Sequence, residues 1–463
     1  MTGSITQSAK MESKIPNWMI WVQCTAFVVL YAVWILPEIV GFRNTALVVG
    51  ALFGVYSIYQ YRDSFLQKAA IPIWLIIALF IWATFHLFFL SSNFSLQYVE
   101  YFRIWKYVGL AAIMASGLGL SLAQSQSTVY WHVIYFGLCT PVIIYLIKYV
   151  LTVYGVPYGL DIPSSLGIYE ISHTFYVPKT DYVAFCIPAF SVALGLLKHL
   201  SDTQDRWNVK NYLSLITQTL VIGATLFLFA AQNIKNGIAY ATVLSLIFIC
   251  IFFFDQISKI TLKKILGILI LIGILISAVN FNVKSNDSWK TLIADIKVGL
   301  QIDRYDHWKY ADEKGLPRNE YGVQVSPTNY DRVAWAHAGL RLSFIYPFGY
   351  GLIEDSFGKM AIAQWPEASP NLSHSHSGWL DVILAIGYPG FLLIFIPLAI
   401  LLRQFKQYVA SWSCIIFGPL LGNLLLWFTT EVAATVTFAA LIFWISFAGG
   451  VNILRRSDFR ASN

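Results

Sequence analysis

The chain has 463 residues, of which 57% are hydrophobic and only 12% are charged. A soluble domain of ordinary composition carries about 25% charged residues, so this is the sequence of a polytopic membrane protein. The formal net charge of +7 reflects where cations stand along the chain, and we expect no nucleic-acid partner. The five cysteines lie in apolar runs at spacings that fit neither a zinc site nor a redox pair.

Apolar runs that could cross a bilayer recur along the chain. A span needs about 20 mostly apolar residues, and twelve segments approach that length. They lie near residues 18–36, 45–59, 71–90, 104–122, 129–151, 182–197, 212–231, 237–254, 265–281, 379–402, 412–429 and 432–453. The sequence therefore predicts an all-α polytopic membrane protein with about 12 transmembrane helices.

Lysines and arginines concentrate on alternate connections between these runs. With the N-terminus in the cytoplasm, the inward segments hold most of them and the short outward loops hold few, as the positive-inside rule requires. We therefore expect both termini in the cytoplasm and two substantial outward segments, an outer loop at about 152–180 and a loop domain at 282–375. The expected organisation is a tail at 1–17, spans 1–9 within 18–281, the loop domain at 282–375, spans 10–12 within 376–453 and a tail at 454–463.

The loop domain carries helical signals of its own. Apolar residues at helical spacing predict a first helix, which Asp287 or Ser288 could cap. Its apolar positions are Trp289, Leu292, Ile293, Ile296 and Leu300. Ser326 as a cap with Pro327 at the first helical position predicts a second helix, which should end before Pro347. The run Phe348-Gly349-Tyr350-Gly351 is typical of a tight turn.

One stretch joins this polar domain to the tenth span. Residues 373–390 read SHSHSGWLDVILAIGYPG. Histidine has the unperturbed pKa nearest neutrality, so an imidazole at the lipid–water boundary can accept or donate a proton. We interpret His374 as a plain interfacial residue and His376 as the candidate for chemistry. Gly387 and Gly390 lie three apart on one helix face, which predicts the close approach of another helix.

Several cations stand on the outward side, where the positive-inside rule does not place them. Arg103 and Lys106 lie three apart at the start of the fourth span, and Lys235 occupies a very short outer connection. The loop domain adds Arg332 and Arg341. The planar fork of arginine suits phosphate, so the pattern favours an anion site at the outer membrane surface. Taken singly, each cation is more simply explained as a snorkelling residue at a helix end, whereas Arg332 together with His376 favours function.

Several nucleotide and metal motifs are absent from the sequence. It contains no P-loop, no dinucleotide-binding glycine pattern, no HExxH and no acidic pair in an outer loop for a divalent cation. If the chain acts on a phosphate-linked donor, arginines rather than a metal must neutralise the leaving group. We therefore expect no cofactor, neither a metal nor ATP.

The pattern around His376 resembles a known family. His376-Ser377, nine residues, Gly387, two residues and Gly390, after a long outward loop near the tenth of twelve spans, is similar to the signature of the O-antigen ligases. These form one group within the O-antigen ligase and polymerase superfamily.

Two other segments bear on this resemblance. Arg332 with Trp335, followed by Gly349 and Gly351, is similar to the family's loop segment. One departure stands in the outer connection after the seventh span, where the family commonly has Ser-Arg-Gly and this chain has Ile234-Lys235-Asn236. Lys235 would keep the positive charge but not the bidentate fork.

The resemblance implies a specific reaction. The donor would be O-antigen polysaccharide on undecaprenyl pyrophosphate, and the acceptor would be a sugar hydroxyl of lipid A–core. The enzyme would be a glycosyltransferase that works at the periplasmic face of the bacterial inner membrane, without an obligate protein partner. Its general layout would be similar to that of the GT-C-type lipid-linked glycosyltransferases.

The resemblance also implies roles for individual residues. His376 would accept the proton of the attacking hydroxyl or orient it, and direct attack would invert the anomeric centre. Arg332 would stabilise the departing pyrophosphate. The expected helpers in binding substrates and lipids are Lys235, Arg103, Lys106, Arg341, Ser377 and Trp335.

Other functions remain open at this stage. An O-antigen polymerase shares the donor but extends another lipid-linked repeat unit, and a third type of relative transfers glycan to protein hydroxyls. A transporter of a lipid-linked anion belongs to a different class and predicts charged residues deep in the spans. The sequence has few charges near span centres, and its full histidine pattern favours the ligase.

Overall fold

Long α-helices dominate the structure. The computed structural model describes residues 14–125, 127–202, 208–256, 262–285, 289–311, 313–405, 412–428 and 435–461. Across these ranges the regular structure is helical, and no β-strand occurs within them. The expected caps Asp287 and Ser288 and most of the N-terminal tail lie outside the described residues.

The helices follow one another along the chain with short connections, except between α5 and α6 and around the loop domain. In chain order they are α1 (Asn17–Val33), α2 (Val40–Gln60), α3 (Ile71–Phe89), α4 (Phe94–Gln124), α5 (Val129–Val150), α6 (Lys179–Asp202), α7 (Val209–Ala231), α8 (Lys235–Gln256), α9 (Leu262–Ser285), α10 (Leu292–Gly299), α11 (Pro327–Ile345), α12 (Ser356–Gln364), α13 (Gly378–Phe405), α14 (Ser413–Leu426) and α15 (Thr435–Ala461).

Twelve of these helices coincide with the twelve apolar segments of the sequence. Eight of them, α2 to α7, α13 and α15, are long and apolar enough to cross a membrane by length and composition. The other four, α1, α8, α9 and α14, contain shorter apolar helical segments of 10–17 residues. The prediction of an all-α polytopic membrane protein is confirmed.

The last helix forms the centre of the membrane-spanning part. α15 is almost entirely buried between Phe438 and Val451 and packs lengthwise against α4. A Cβ on Gly119 would collide with the backbone of α15 near Phe447, and one on Gly450 would collide with the carbonyl of Ser116. Small residues thus let the two backbones approach closely, as is usual where membrane helices pack.

The two ends of the helix bundle carry different structures: one has helix ends and short connections, and the other carries the loop domain. At one face the ends of α2 and α4 meet the start of the chain, where Gln124 Nε2 donates to the carbonyl of Ile15 at 3.1 Å. At the same face Asn452 Nδ2 donates to the carbonyl of Ala69 at 2.8 Å. The opposite face carries the loop domain, built from α10, α11 and α12.

The loop domain has its own hydrophobic core. Trp308, Tyr330, Leu342 and Phe357 are buried in it, and the core continues into the first turns of α13 through Leu384. The domain is therefore seated on α13 by apolar packing, which gives the side chains of α11 a fixed position relative to the start of α13.

The first helix of the loop domain buries a different face from the one its apolar residues suggest. Ala294, Asp295 and Val298 are buried, whereas Ile293 is 72% exposed and Leu300 is 54% exposed. Apolar side chains of a membrane protein can face lipid as readily as protein, so apolar spacing does not identify the buried face here.

The fourth helix starts earlier than the expected span. α4 begins at Phe94, with Asn93 as its cap, about ten residues before the start of the apolar segment. Arg103 and Lys106 therefore lie more than two turns inside the helix, and both side chains are exposed. Gln97 and Glu100, which precede them in α4, are buried. The position of Arg103 and Lys106 at the start of the membrane span stays a prediction.

Candidate functional site

Helix starts converge on the loop-domain face of the bundle. α8 begins at Lys235 and α11 at Pro327, and their first turns are joined by two hydrogen bonds. Lys235 Nζ donates to Asn329 Oδ1 at 2.9 Å, and Arg332 Nη1 donates to Asn236 Oδ1 at 2.9 Å. Helix N-termini carry partial positive charge and unsatisfied N–H groups, so two of them beside two cations favour anion binding.

His376 lies against the same helix α11. Its ring stacks on that of Trp335, with 4.8 Å between ring centroids and 6° between ring planes. Trp335 is itself held, because its indole Nε1 donates to the carbonyl of Trp308 at 2.9 Å. Arg332 is one turn from Trp335, and its positive charge acts on His376. We call His376, Trp335, Arg332 and Lys235 the His376 cluster.

The backbone at His376 is unusual for a side chain other than glycine. Its φ is +56°, in the left-handed region. The neighbouring segment is fixed by Asp381, whose Oδ1 accepts from the Ser375 N–H at 2.8 Å, and Ser377 accepts the first helical N–H from Asp381 at 2.8 Å. Ser377 thus immediately precedes α13. Such strain is maintained only where surrounding structure determines it, and it concentrates at functional sites.

The surroundings of His376 keep its imidazole neutral. Burial lowers its pKa to about 3, and the positive charge of Arg332 and the nearby His374 add to the effect. Both burial and a neighbouring cation disfavour the charged imidazolium. At neutral pH the ring is therefore uncharged, which is the form of imidazole that can act as a hydrogen-bond acceptor or as a base.

A buried carboxylate organises the α11 side of the cluster. Asp295 accepts hydrogen bonds from Asn329 Nδ2 at 2.9 Å, Thr291 Oγ1 at 2.7 Å and Asn319 Nδ2 at 3.0 Å. By fixing the amide of Asn329, it directs the amide oxygen toward Lys235. Asp295 was not expected from the sequence, where it stands inside an apolar helical pattern, and that interruption is the signal that could have identified it.

The start of α11 departs from the expected capping. Ser326 makes no capping bond with its side chain, and its backbone N–H donates to Asp295 at 3.2 Å instead. Pro327 is the first residue of α11, and the helix ends at Ile345, before Pro347.

Lys235 makes a second contact, with an aromatic ring. Its Nζ lies over the ring of Trp289, 4.3 Å from the ring centroid, which is the geometry of a cation–π interaction.

The helix that follows His376 is interrupted at Gly387. This residue has φ +71° and ψ 177°, a conformation open essentially to glycine alone. A Cβ there would collide with the backbone of Phe348. Gly387 therefore faces the loop at 347–351 rather than another helix, and the nearest neighbours of Gly390 belong to Ile386 of its own helix. The expected helix contact across Gly387 and Gly390 is wrong, because the first glycine is used for the break.

Four backbone groups next to this break are paired with groups outside α13. The N–H of Tyr350 donates to the carbonyl of Leu384 at 2.8 Å, and the N–H of Gly351 donates to Ala385 at 2.7 Å. The N–H of Tyr388 donates to the carbonyl of Pro347 at 2.9 Å. Trp82 of α3 donates its indole N–H to the carbonyl of Ile386 at 2.7 Å.

The turn that pairs with the break requires glycines. Gly349 has φ +86° and Gly351 has φ +107°, and a Cβ on either would collide with Ala385 or with the side chain of Gln97. Gln97 in turn contacts Nδ1 of His86 at 3.1 Å. We call Gly349, Gly351 and Gly387 with their paired backbone groups the glycine junction.

α4 holds the segment that follows the glycine junction. The buried carboxylate of Glu100 accepts from the backbone N–H groups of Ile353 and Glu354. Trp82, Gln97 and Glu100 are not predicted by the sequence, since no local pattern connects them with partners more than 250 residues away. The structure shows their role through contacts alone.

The remaining cations are engaged elsewhere. Arg103 forms an ion pair with Glu354, which also accepts from Thr435 at 3.1 Å. Arg341 makes two hydrogen bonds of 2.8 Å to Asp303 at an exposed position. It stands nine residues beyond Arg332, two and a half helical turns, and so lies on the opposite face of α11. The structure thus brings together His376, Arg332, Trp335 and Lys235 but not Arg341.

The charge at this site comes from cationic side chains. Among the described residues, no group of three or more His, Cys, Asp or Glu side chains is placed to hold a metal ion. An anion at the His376 cluster would instead meet a guanidinium, an ammonium and two helix N-termini, the combination that recognises phosphate groups.

Fold and site together define a multi-pass α-helical membrane protein whose loop domain and bundle enclose a cationic site with a neutral imidazole. Residues 219–395 match the family model described as O-Antigen ligase. That range contains the whole His376 cluster and the three glycines of the junction. This match covers less than half of the chain and supports membership in the O-antigen ligase and polymerase superfamily. No curated protein matches the chain at a significant level.

Proposed function

We propose that the chain is an O-antigen ligase that transfers O-antigen polysaccharide from undecaprenyl pyrophosphate to a sugar hydroxyl of lipid A–core. The reaction takes place at the periplasmic face of the bacterial inner membrane, with both termini in the cytoplasm. The observation that carries this proposal is the neutral imidazole of His376, stacked on Trp335 beside the Arg332 guanidinium. A base next to an anion site is what glycosyl transfer from a pyrophosphate requires.

The transfer is a single displacement. The acceptor oxygen attacks the anomeric carbon, the bond from that carbon to the phosphate oxygen breaks, and pyrophosphate leaves with the electron pair. His376 takes the proton of the attacking hydroxyl, and the anomeric centre inverts. Arg332, Lys235 and the first turns of α8 and α11 stabilise the charge that develops on the leaving group.

A bound donor would make His376 more basic. In the free protein, burial lowers the pKa of His376 most, and the positive charge of Arg332 adds to this effect. A bound pyrophosphate brings negative charge to Arg332 and offsets its part of the effect, so we expect the pKa of His376 to rise. Burial continues to favour the neutral imidazole, the form that can accept the proton of the attacking hydroxyl.

The choice among members of the superfamily rests on the acceptor. The complete pattern of His376, Ser377, Gly387 and Gly390 supports the ligase over the polymerase. Proximity of the loop domain to the lipid surface also suits two substrates that are both lipid-anchored. We propose that the reaction needs neither a metal nor ATP, because arginine and lysine stand where the pyrophosphate charge must be neutralised.

A reconstituted assay tests this function. Purified protein in liposomes receives lipid-linked polysaccharide and lipid A–core in the presence of EDTA, for the wild type, His376→Ala and the matched control His374→Ala. We expect ligated product from the wild type and the control, and a fall of about 10²–10⁴-fold for His376→Ala. Full activity of His376→Ala would refute the base role, and polymer growth on the carrier lipid instead of ligation would establish a polymerase.

A further inference from the structure

The outer loop between α5 and α6 is held by contacts of its own. Between α5 and α6, the N–H of Ile168 donates to Thr152 Oγ1 at 2.9 Å, which ties the loop to the end of α5. The rings of Tyr169 and His173 stack with 3.7 Å between centroids and 9° between planes. These contacts hold Tyr169 in one position, although neither residue belongs to a regular helix.

A cavity of about 710 Å³ opens between this loop and the end of α7. Its volume lies within the about 300–1,000 Å³ that is usual for ligand sites. Its lining combines aromatic and aliphatic surface with a few polar groups, as ligand sites do. The main contributors are Tyr169, Tyr176, Ile171, Glu170, Lys179 and Gln232.

This outer-loop cavity borders the region where the leaving group is proposed to bind. Lys179 at the start of α6 donates its Nζ hydrogen to the carbonyl of Gln232 at 2.8 Å. Gln232 is three residues before Lys235, a distance of at most about 11 Å along the chain. The cavity is therefore lined by a residue that is close along the chain to Lys235 of the His376 cluster.

The lining fits sugar residues better than a lipid tail or a free phosphate. A sugar ring presents apolar C–H faces, which pack against tyrosine rings, and hydroxyls, which bond to carboxylate, ammonium and amide groups. A lipid tail would leave Glu170 and Lys179 unpaired in an apolar contact. A free phosphate would be repelled by Glu170 and would gain nothing from two tyrosines.

We propose that the outer-loop cavity is a glycan subsite, which binds the sugar residues adjoining the transferred bond. The proposal rests on the proposed function, because it is the transfer reaction that brings a glycan to this face. Two substrates carry such sugars. They are the polysaccharide of the donor and the core oligosaccharide of the acceptor, and separate kinetic constants distinguish them.

Kinetics of loop variants test the subsite. Tyr169→Ala and Glu170→Gln are compared with Tyr158→Ala, a tyrosine of the same loop that is 85% exposed and outside the cavity lining. We expect the first two to raise the KM for one substrate about tenfold with kcat largely kept, and Tyr158→Ala to change neither. A raised KM for the donor assigns the cavity to the polysaccharide, and a raised KM for the acceptor assigns it to the core. Unchanged KM values for both substrates overturn the subsite.

A binding measurement separates this proposal from the ligase assignment. Delipidated O-antigen polysaccharide and core oligosaccharide are titrated into wild type and Tyr169→Ala in nanodiscs, with saturation-transfer NMR as the readout. Glycan signals with the wild type that vanish with Tyr169→Ala support the subsite even if no ligation is found. Equal signals from both proteins overturn it even if ligation is robust.

Discussion

The His376 cluster lies just before α13 and the glycine junction at the break within it, and the two regions are built in opposite ways. The cluster consists of side chains, with a guanidinium, an ammonium, an imidazole and an indole brought together from α8, α11 and the segment before α13. The junction consists of backbone, with three glycines whose missing side chains let a turn pair with a broken helix. The groups that could act on a substrate are therefore side chains, whereas the geometry that positions α13 is set by backbone contacts. The two regions should fail differently when they are changed.

We expect the largest difference between the two regions at Arg332, where a substitution should affect the reaction rate and not the stability. Arg332→Ala removes the guanidinium that faces the leaving group, so kcat should fall about 10²–10³-fold while the thermal unfolding midpoint stays near that of the wild type. Arg332→Lys keeps the charge without the fork and should recover part of the loss. Initial rates of transfer and thermal unfolding are measured on the same preparations.

The same helix provides the control for Arg332. Arg341→Ala removes a cation of the opposite helix face, where an exposed ion pair contributes at most about 1 kcal/mol. Its rate and unfolding midpoint should match the wild type. Equal losses for Arg332→Ala and Arg341→Ala would show that overall charge, and not the cluster, supports transfer.

The junction should respond in stability first. Gly387→Ala places a Cβ against the backbone of Phe348 at a φ of +71°, and we expect the free energy of unfolding to fall by about 2 kcal/mol or more. Gly223→Ala in α7 is the matched control, since a Cβ there meets nothing within 4 Å. The control should leave the unfolding midpoint unchanged or slightly raised. Similar midpoints for the two variants would mean that the break at Gly387 is not required.

The smallest expected effect is a shift in pH dependence. Because burial and Arg332 lower the pKa of His376 to about 3, kcat/KM should not fall through protonation of His376 between pH 8 and 5. In Arg332→Ala the imidazolium is less disfavoured, so the pKa rises and the acid limb moves to higher pH. Gly387→Ala leaves that cation in place and should not move the limb.

The sign of this shift also concerns stability. In the unfolded chain, His376 binds a proton once the pH falls below the ordinary histidine pKa of about 6.5. In the folded protein its pKa is lowered, so it stays unprotonated at the same pH. The free energy of unfolding therefore decreases as the pH falls below about 6.5. A pH–rate profile for the three proteins, read together with their unfolding midpoints, separates the two effects. An acid limb near pH 6.5 in the wild type would contradict the low pKa.

The spans were predictable because bilayer thickness imposes a length and a composition on each of them. α2, the shortest of the expected segments, extends from Val40 to Gln60 in the structure. His376 and Arg332 could be selected as candidates because each is a rare polar residue type in a suggestive place. The sequence could not show that these residues lie close together, because their positions depend on how α8, α11 and α13 pack. The residues are Lys235, Arg332 and His376.

Other features could not be predicted for local reasons. The pattern of Gly387 and Gly390 is compatible with helix packing and with a helix break, and only the position of Phe348 decides between them. Trp82 and Glu100 carry no signal in the sequence, because their partners are distant backbone groups, the carbonyl of Ile386 for Trp82 and the N–H groups of Ile353 and Glu354 for Glu100. The buried face of α10 is not the one with the large apolar side chains, so apolar spacing alone does not identify it.

The pairing of the glycine junction limits how the protein can move. Hydrogen bonds on both sides of Gly387 join the first half of α13 to residues 347–351 and to the indole of Trp82. We therefore expect the broken helix to be rigid at this point and not to act as a hinge. The contact of α8 with α11, by contrast, is made by side-chain hydrogen bonds through Asn236 and Asn329. Under the proposed function, we therefore expect the site to open for lipid-anchored substrates at this contact and not at the glycine junction.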